Sequence, residues 1–212
     1  MKRIYAALAL AATLLLAGCL PVTSKTPVGT TAGLGADQAL YGTWIGRSED
    51  QPDKDQKKDK GVLYLHFLPA RPQEPPAIIG VWVVTGDAKS NGEVDLYELR
   101  TAKLGDNNFI DILKLSDISK GIDANASSNN GLNGGSVPVL YKFGKHHTLT
   151  LYLLDEDKVK EAIKAGKIAG TVEPGDSGDV QITADAAALD AFFATPEAAK
   201  LFKIFVVLKR AE

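Results

Sequence analysis

The sequence predicts a mainly β fold of α+β type: an antiparallel meander of about eight strands forming a barrel-like sheet, with two or three helices near the C-terminal end. Three observations carry this. Short β-type runs separated by turn residues recur between Tyr41 and Leu154. The apolar period changes from two to that of a helix after Asp155. Consecutive strands on short connections pair with their neighbours, and a meander of this size curls to protect its edges.

Residues 1–18 have the layout of an export signal. Lys2 and Arg3 are basic, and Ile4–Leu16 is apolar except for Thr13. That run is 13 residues long, short of the roughly 20 that a spanning helix needs. Leu16-Ala17-Gly18-Cys19 follows and resembles the lipobox of bacterial lipoproteins, with small residues that fit a narrow peptidase site. The resemblance implies cleavage between Gly18 and Cys19. It also implies a diacylglycerol and an N-acyl chain, such as palmitate, on Cys19. One acyl chain binds a bilayer reversibly, and two or more hold firmly. Leu20 stands where an aspartate would retain an enterobacterial lipoprotein at the inner membrane, so the expected location is the outer membrane, facing the periplasm.

Residues 19–36 are Thr-, Gly- and Pro-containing with few large apolar side chains, and read as a flexible tether. A single β-rich domain is expected over 37–212. Strands are predicted near 41–47, 62–68, 77–86, 94–104, 109–115, 137–143 and 148–154. Leu149, Leu151 and Leu153 share one face, as do Leu63, Leu65 and Phe67. The 94–104 run is ambiguous. Val94, Leu96, Ala102 and Leu104 share a face with Glu98 and Arg100, while Tyr97 and Leu99 take the other. Either a bulge shifts the faces or an acid–base pair points inward.

Asp155 caps a predicted helix to Lys167, with Val159, Ala162 and Ile163 as its apolar stripe and Gly166 or Gly170 as its stop. A short strand is expected near 179–183. Thr183 is the expected cap of a second helix carrying Leu189, Phe192 and Phe193. Thr195-Pro196-Glu197 starts a third helical piece, and Ile204–Leu208 is the last strand. The connections Gln51–Lys60 and Ser116–Ser136 are long, and read as binding loops or solvated links.

Two of the 24 basic residues and none of the 26 acidic ones lie in residues 1–18, so the remainder has 22 basic against 26 acidic groups and a net charge of −4. Nothing in this balance favours nucleic acid or anionic lipid. Cys19 is the only cysteine, so the fold must stand without a disulfide. Gly175-Asp176-Ser177-Gly178 matches the nucleophile motif of chymotrypsin-like proteases, but His66, His146 and His147 lack that family's surroundings, and the segment reads as a turn. His146 and His147 are adjacent, so on a strand they would point to opposite faces; they read as a turn before Thr148 rather than a metal pair. Asp123, Asn125 and Ser127 begin like a calcium loop, but Ser128 and Gly134 occupy the positions that need Gly and Glu.

Gly42-Thr43-Trp44 resembles the Gly-x-Trp of lipocalins. That resemblance implies a tryptophan closing the barrel base under an arginine from near the barrel's end, for which Arg210 is the candidate. The helices before the last strand depart from that family. The leading expectation is a non-enzymatic module holding a lipid or small apolar ligand, with Trp44, Trp82, Tyr97 and Arg100 as ligand-binding residues and no metal. A structural component binding an envelope protein is the alternative. An enzyme would have to use strand residues such as His66, Glu98, Arg100 and Asp111.

Overall fold

The computed structural model describes residues 22–47, 62–70, 76–85, 93–117, 135–173 and 179–211. The expected signal with Cys19, the Gln51–Lys60 segment, the Asp123–Ser127 pattern and the Gly175–Gly178 motif lie outside these residues. A two-residue strand β1 (Thr23–Ser24) and a 3-10 turn (Gln38–Leu40) come first. Seven strands follow: β2 (Gly42–Arg47), β3 (Val62–Pro69), β4 (Ile78–Thr85), β5 (Glu93–Leu104), β6 (Asn107–Asp117), β7 (Val137–Gly144) and β8 (Thr148–Leu154). Then come α1 (Glu156–Lys164), β9 (Gly170–Val172), β10 (Val180–Ile182), α2 (Ala186–Phe193), α3 (Pro196–Ala199) and β11 (Phe202–Arg210).

Strands β2 to β8 pair in sequence, and β11 closes the antiparallel barrel between β8 and β2. Its registers are Phe202↔Leu154 to Lys209↔Thr148 on one side, and Arg210↔Trp44 on the other. The alternation read from the sequence selects the interior. Leu63, Leu65, Phe67, Leu149 and Leu151 fill the lumen, with the residues between them on the outer face. The predicted elements match in number and order, and β1, β9 and the 3-10 turn are additions too short to show a period.

A second core lies outside the barrel. Phe109, Leu140 and Phe202 on the outer wall pack against Val159 of α1 and Leu189 and Phe193 of α2. Phe109 meets Phe193 edge-on, with ring centroids 5.4 Å apart. With both faces covered, the first five residues of β7, Val137–Tyr141, are all buried, and alternation disappears there.

The helix starts follow their capping residues. Asp155 accepts from the Lys158 N–H, and Gly166 ends α1 with a φ of 67°. Thr195 caps α3, with Pro196 in its first turn. The cap of α2 is Asp185, whose Oδ1 accepts from Ala188 N at 2.8 Å, and not Thr183. The helix starts two residues later than expected, and Asp185 sits three residues before the donor it serves.

The 94–104 ambiguity resolves in a third way. Tyr97 and Leu99 face the lumen. Glu98 and Arg100 leave the outer face, 3.9 Å apart. The register shift falls at Glu98/Leu99, where Glu98 pairs Lys114 but Leu99 pairs Ile112, so the extra residue is in β6.

The expected tether is the main correction. From Val22 the chain is part of the domain, which therefore begins well before residue 37. Val22 is 3 % exposed and Val28 is fully buried. β1 pairs in parallel with β10, and Ser24 and Ser136 exchange backbone hydrogen bonds. Val28 N donates to Asp111 Oδ1 at 2.9 Å. Gly29 N and Thr31 N donate to the two oxygens of Asp190 at 2.6 and 2.8 Å, and the Thr31 hydroxyl adds a third bond. Gly29 has a φ of 90° and passes so near β5 that a Cβ would collide with that of Ala102. Small residues read as a linker because they bring little apolar area. Here backbone N–H groups bonded to buried aspartates hold them instead.

Asp190→Ala is expected to destabilise the protein by about 3 kcal/mol, because bonds to a charged acceptor are worth roughly 1.5–3 kcal/mol each and the buried Gly29 N–H would be orphaned. Urea unfolding reads the loss, and limited proteolysis should newly cut within residues 22–36. An unchanged midpoint and an uncut strap would show that Asp190 does not hold it.

Candidate functional site

The two ends of the barrel are built differently. At the floor, Asp37 Oδ1 caps the 3-10 turn through Ala39 N, and the turn buries Leu40 completely. Trp44 is 2 % exposed and donates from Nε1 to the Leu40 carbonyl at 2.7 Å. Arg210 lies over the Trp44 ring, with Cζ 5.5 Å from the centroid, and donates from Nη2 to the Tyr41 carbonyl at 2.7 Å. Gly42 has a φ of 123°, and a Cβ there would meet Arg210 Nη2 at 3.4 Å. The strand-start glycine and tryptophan and the last-strand arginine thus form one closing unit. Beside it the Tyr141 hydroxyl donates to Asp37 Oδ2 at 2.6 Å. Burial, and then that carboxylate, push the Tyr141 hydroxyl well above its ordinary range.

The other end is the mouth, where Arg47, Val62, Thr85, Glu93 and Asp117 end or begin their strands. The lumen below it is apolar. Trp82 and Phe205 stack inside it, with centroids 5.8 Å apart and planes 22° apart. Phe205 sits at the register shift between Ile204 and Val206. Val84, Ile112 and Leu153 are half-buried and pack, like Phe205, against the same barrel core. Asp95 lies opposite Trp82 across the β4–β5 pair, is 1 % exposed, and accepts a long 3.4 Å bond from the Tyr97 hydroxyl. Trp82 Nε1 is buried and has no hydrogen-bond acceptor among the described residues. An orphaned buried donor costs about 1–3 kcal/mol, so this N–H calls for an acceptor beyond the described residues.

The four residues singled out from the sequence separate into three places. Trp82 and Tyr97 share the upper lumen. Trp44 is committed to the floor. Arg100 is on the outer wall, directly across from Asp111 and beside Glu98, so it does not line the lumen. Asp95, Phe205 and the half-buried Val84, Ile112 and Leu153 were missed. Asp95 was within reach, since it shares the period-two face of Tyr97 and Leu99. Phe205 was not, because a bulge turns it inward.

Asp111 is the other unusual group. It is buried between the outer wall and the N-terminal strap, bonded to Val28 N and, at 3.2 Å, to the Ser136 hydroxyl. Burial pushes its carboxyl up to about 8, against the pull of those two bonds, with a smaller push from the Asp190 charge. His66 is not near this group. It is hydrogen-bonded to Thr43 Oγ1 on the outer face of β3, and β4 separates it from β5. Of the four strand residues considered for an enzyme, Glu98, Arg100 and Asp111 are therefore neighbours on the outer wall and His66 stands apart. His146 and His147 form the β7–β8 turn with φ values of 56° and 53°, and His147 O accepts from Arg210 N. No group of metal-ligating side chains occurs among the described residues.

Comparison of the chain with known protein families, curated proteins and solved structures finds no match.

Proposed function

We propose that this protein is a lipid-anchored envelope lipoprotein that binds an apolar or amphipathic ligand in the mouth of its barrel. The observation that carries the binding half is the Trp82 N–H, a buried donor without an acceptor among the described residues, inside an apolar lumen plugged at its other end. The ligand's apolar part covers Val84, Ile112, Leu153 and Phe205. Each buried methylene contributes about 0.8 kcal/mol. Its polar end accepts from Trp82 Nε1, near Asp95 and the Tyr97 hydroxyl. The anchoring half rests on the order of basic, apolar and small residues that ends at Cys19. With Leu20 rather than aspartate after the cysteine, the proposed location is the outer membrane, facing the periplasm.

Denaturing extraction of protein purified from its own membranes, followed by mass spectrometry, is expected to release one small amphipathic molecule per chain. Trp82→Phe keeps most of the ring surface and removes the N–H. Losing that bond, worth about 1 kcal/mol, is expected to weaken the released molecule's affinity about fivefold in calorimetric titration. A chain that carries nothing and gives no binding heat with C16 or C18 fatty acids and lysophospholipids would reject the reading.

A further inference from the structure

The course of the strap fixes which end of the barrel is nearest the anchor. Ser24 exchanges both backbone bonds with Ser136, the residue just before β7. β7 starts toward the mouth and ends at Gly144, in the floor hairpin. The strap therefore enters at mouth level. It then descends the outer wall: Val28 binds Asp111, Gly35 pairs with Thr101, Asp37 meets Tyr141, and Leu40 plugs the floor. The descent from Ser24 to Leu40 takes 16 residues.

Cys19 precedes the buried Val22 by only three residues. Three residues reach about 10 Å at full extension. The eight residues of β7 span roughly 26 Å at the usual strand rise. A lipid on Cys19 thus reaches the bilayer from the mouth side and cannot reach past the floor. Swinging the strap free would break its bonds to Asp111 and Asp190.

We infer that the mouth faces the leaflet holding the Cys19 acyl chains, so that a ligand passes between lumen and lipid without crossing bulk water. The occupant of this surface is the bilayer itself. The inference rests on the anchor in the proposed function. Exposed Leu68 and Phe143 lie toward the opposite end and would make contact if the molecule sat the other way up.

Once Cys19 is acylated, an introduced cysteine is the only one that takes a dye. Full-length lipidated protein carries a donor dye at Thr85→Cys on the mouth rim or at Lys145→Cys in the floor hairpin. It is reconstituted in phosphatidylethanolamine–phosphatidylglycerol vesicles with a trace of acceptor-labelled headgroup. Transfer is expected to be stronger from position 85, with a closest approach shorter by roughly 20 Å, the strand length reduced by barrel tilt. Equal transfer, or stronger transfer from 145, in protein that floats with the vesicles overturns the orientation and leaves the anchor standing. Protein that does not float, as expected for Cys19→Ala, removes the anchor and the orientation with it.

Discussion

Raising the pH from 5 to 8 is expected to destabilise this protein by about 4 kcal/mol through Asp111 alone. Burial raises the carboxyl from 3.8 to about 8 in the folded chain. Between these values the folded state holds a proton that the unfolded state has lost. The unfolded state binds fewer protons there, so stability falls as pH rises, by about 1.4 kcal/mol per unit. This contribution is fully present below the unfolded value and is lost as pH climbs through the folded one, levelling above it. The cause is local: a carboxyl between the barrel wall and the strap, with two donors for Oδ1 and, among the described residues, none for Oδ2. Asp111→Asn keeps an acceptor for Val28 N and the Ser136 hydroxyl and cannot ionise. Urea midpoints at pH 5, 6.5 and 8 should fall more steeply for the native chain than for the variant. Since every other group titrates in both, the difference in slope isolates Asp111, and parallel curves would show that its carboxyl titrates normally.

Trp44→Ala is expected to cost about 3–5 kcal/mol, the range for truncating a buried aromatic. Three losses combine: ring burial, the bond to the Leu40 carbonyl, and the contact with Arg210. Ring burial dominates. The exposed guanidinium over the ring is worth only about 0.5–1 kcal/mol. Trp44→Phe retains most of the apolar area and should lose far less than the alanine variant. Arg210→Ala should lose about 1 kcal/mol, and part of that loss should vanish in the Trp44→Ala background, because the two share the ring contact while the bond to the Tyr41 carbonyl is independent of it. Urea unfolding of the four chains completes the cycle. Additive losses would separate the arginine from the tryptophan.

Much of the barrel was legible because alternation is a local property. Leu63-x-Leu65-x-Phe67 and Leu149-x-Leu151 show which residues share a face, and the turn residues between runs show where strands stop. The helix starts were legible for the same reason, save where Asp185 displaced Thr183 by a shift of two residues. The site was legible only in part. Trp82 and Tyr97 were found as aromatics on strands, but Arg100, equally prominent in sequence, belongs to the opposite surface. Deciding inside from outside on β5 needed its neighbours, because both faces of that strand carry apolar residues.

What the sequence determined by itself is the order and kind of the elements and the Gly42-Thr43-Trp44 start, each written in contiguous residues. Tertiary structure alone decided the closing of β11 onto β2, the bulges opposite Leu99 and at Phe205, and the docking of the strap. The physical reason is separation along the chain. The aspartates that hold Val28 and Gly29 lie 83 and 161 residues away, and a backbone N–H looks the same in any sequence, whether water or a buried aspartate accepts it.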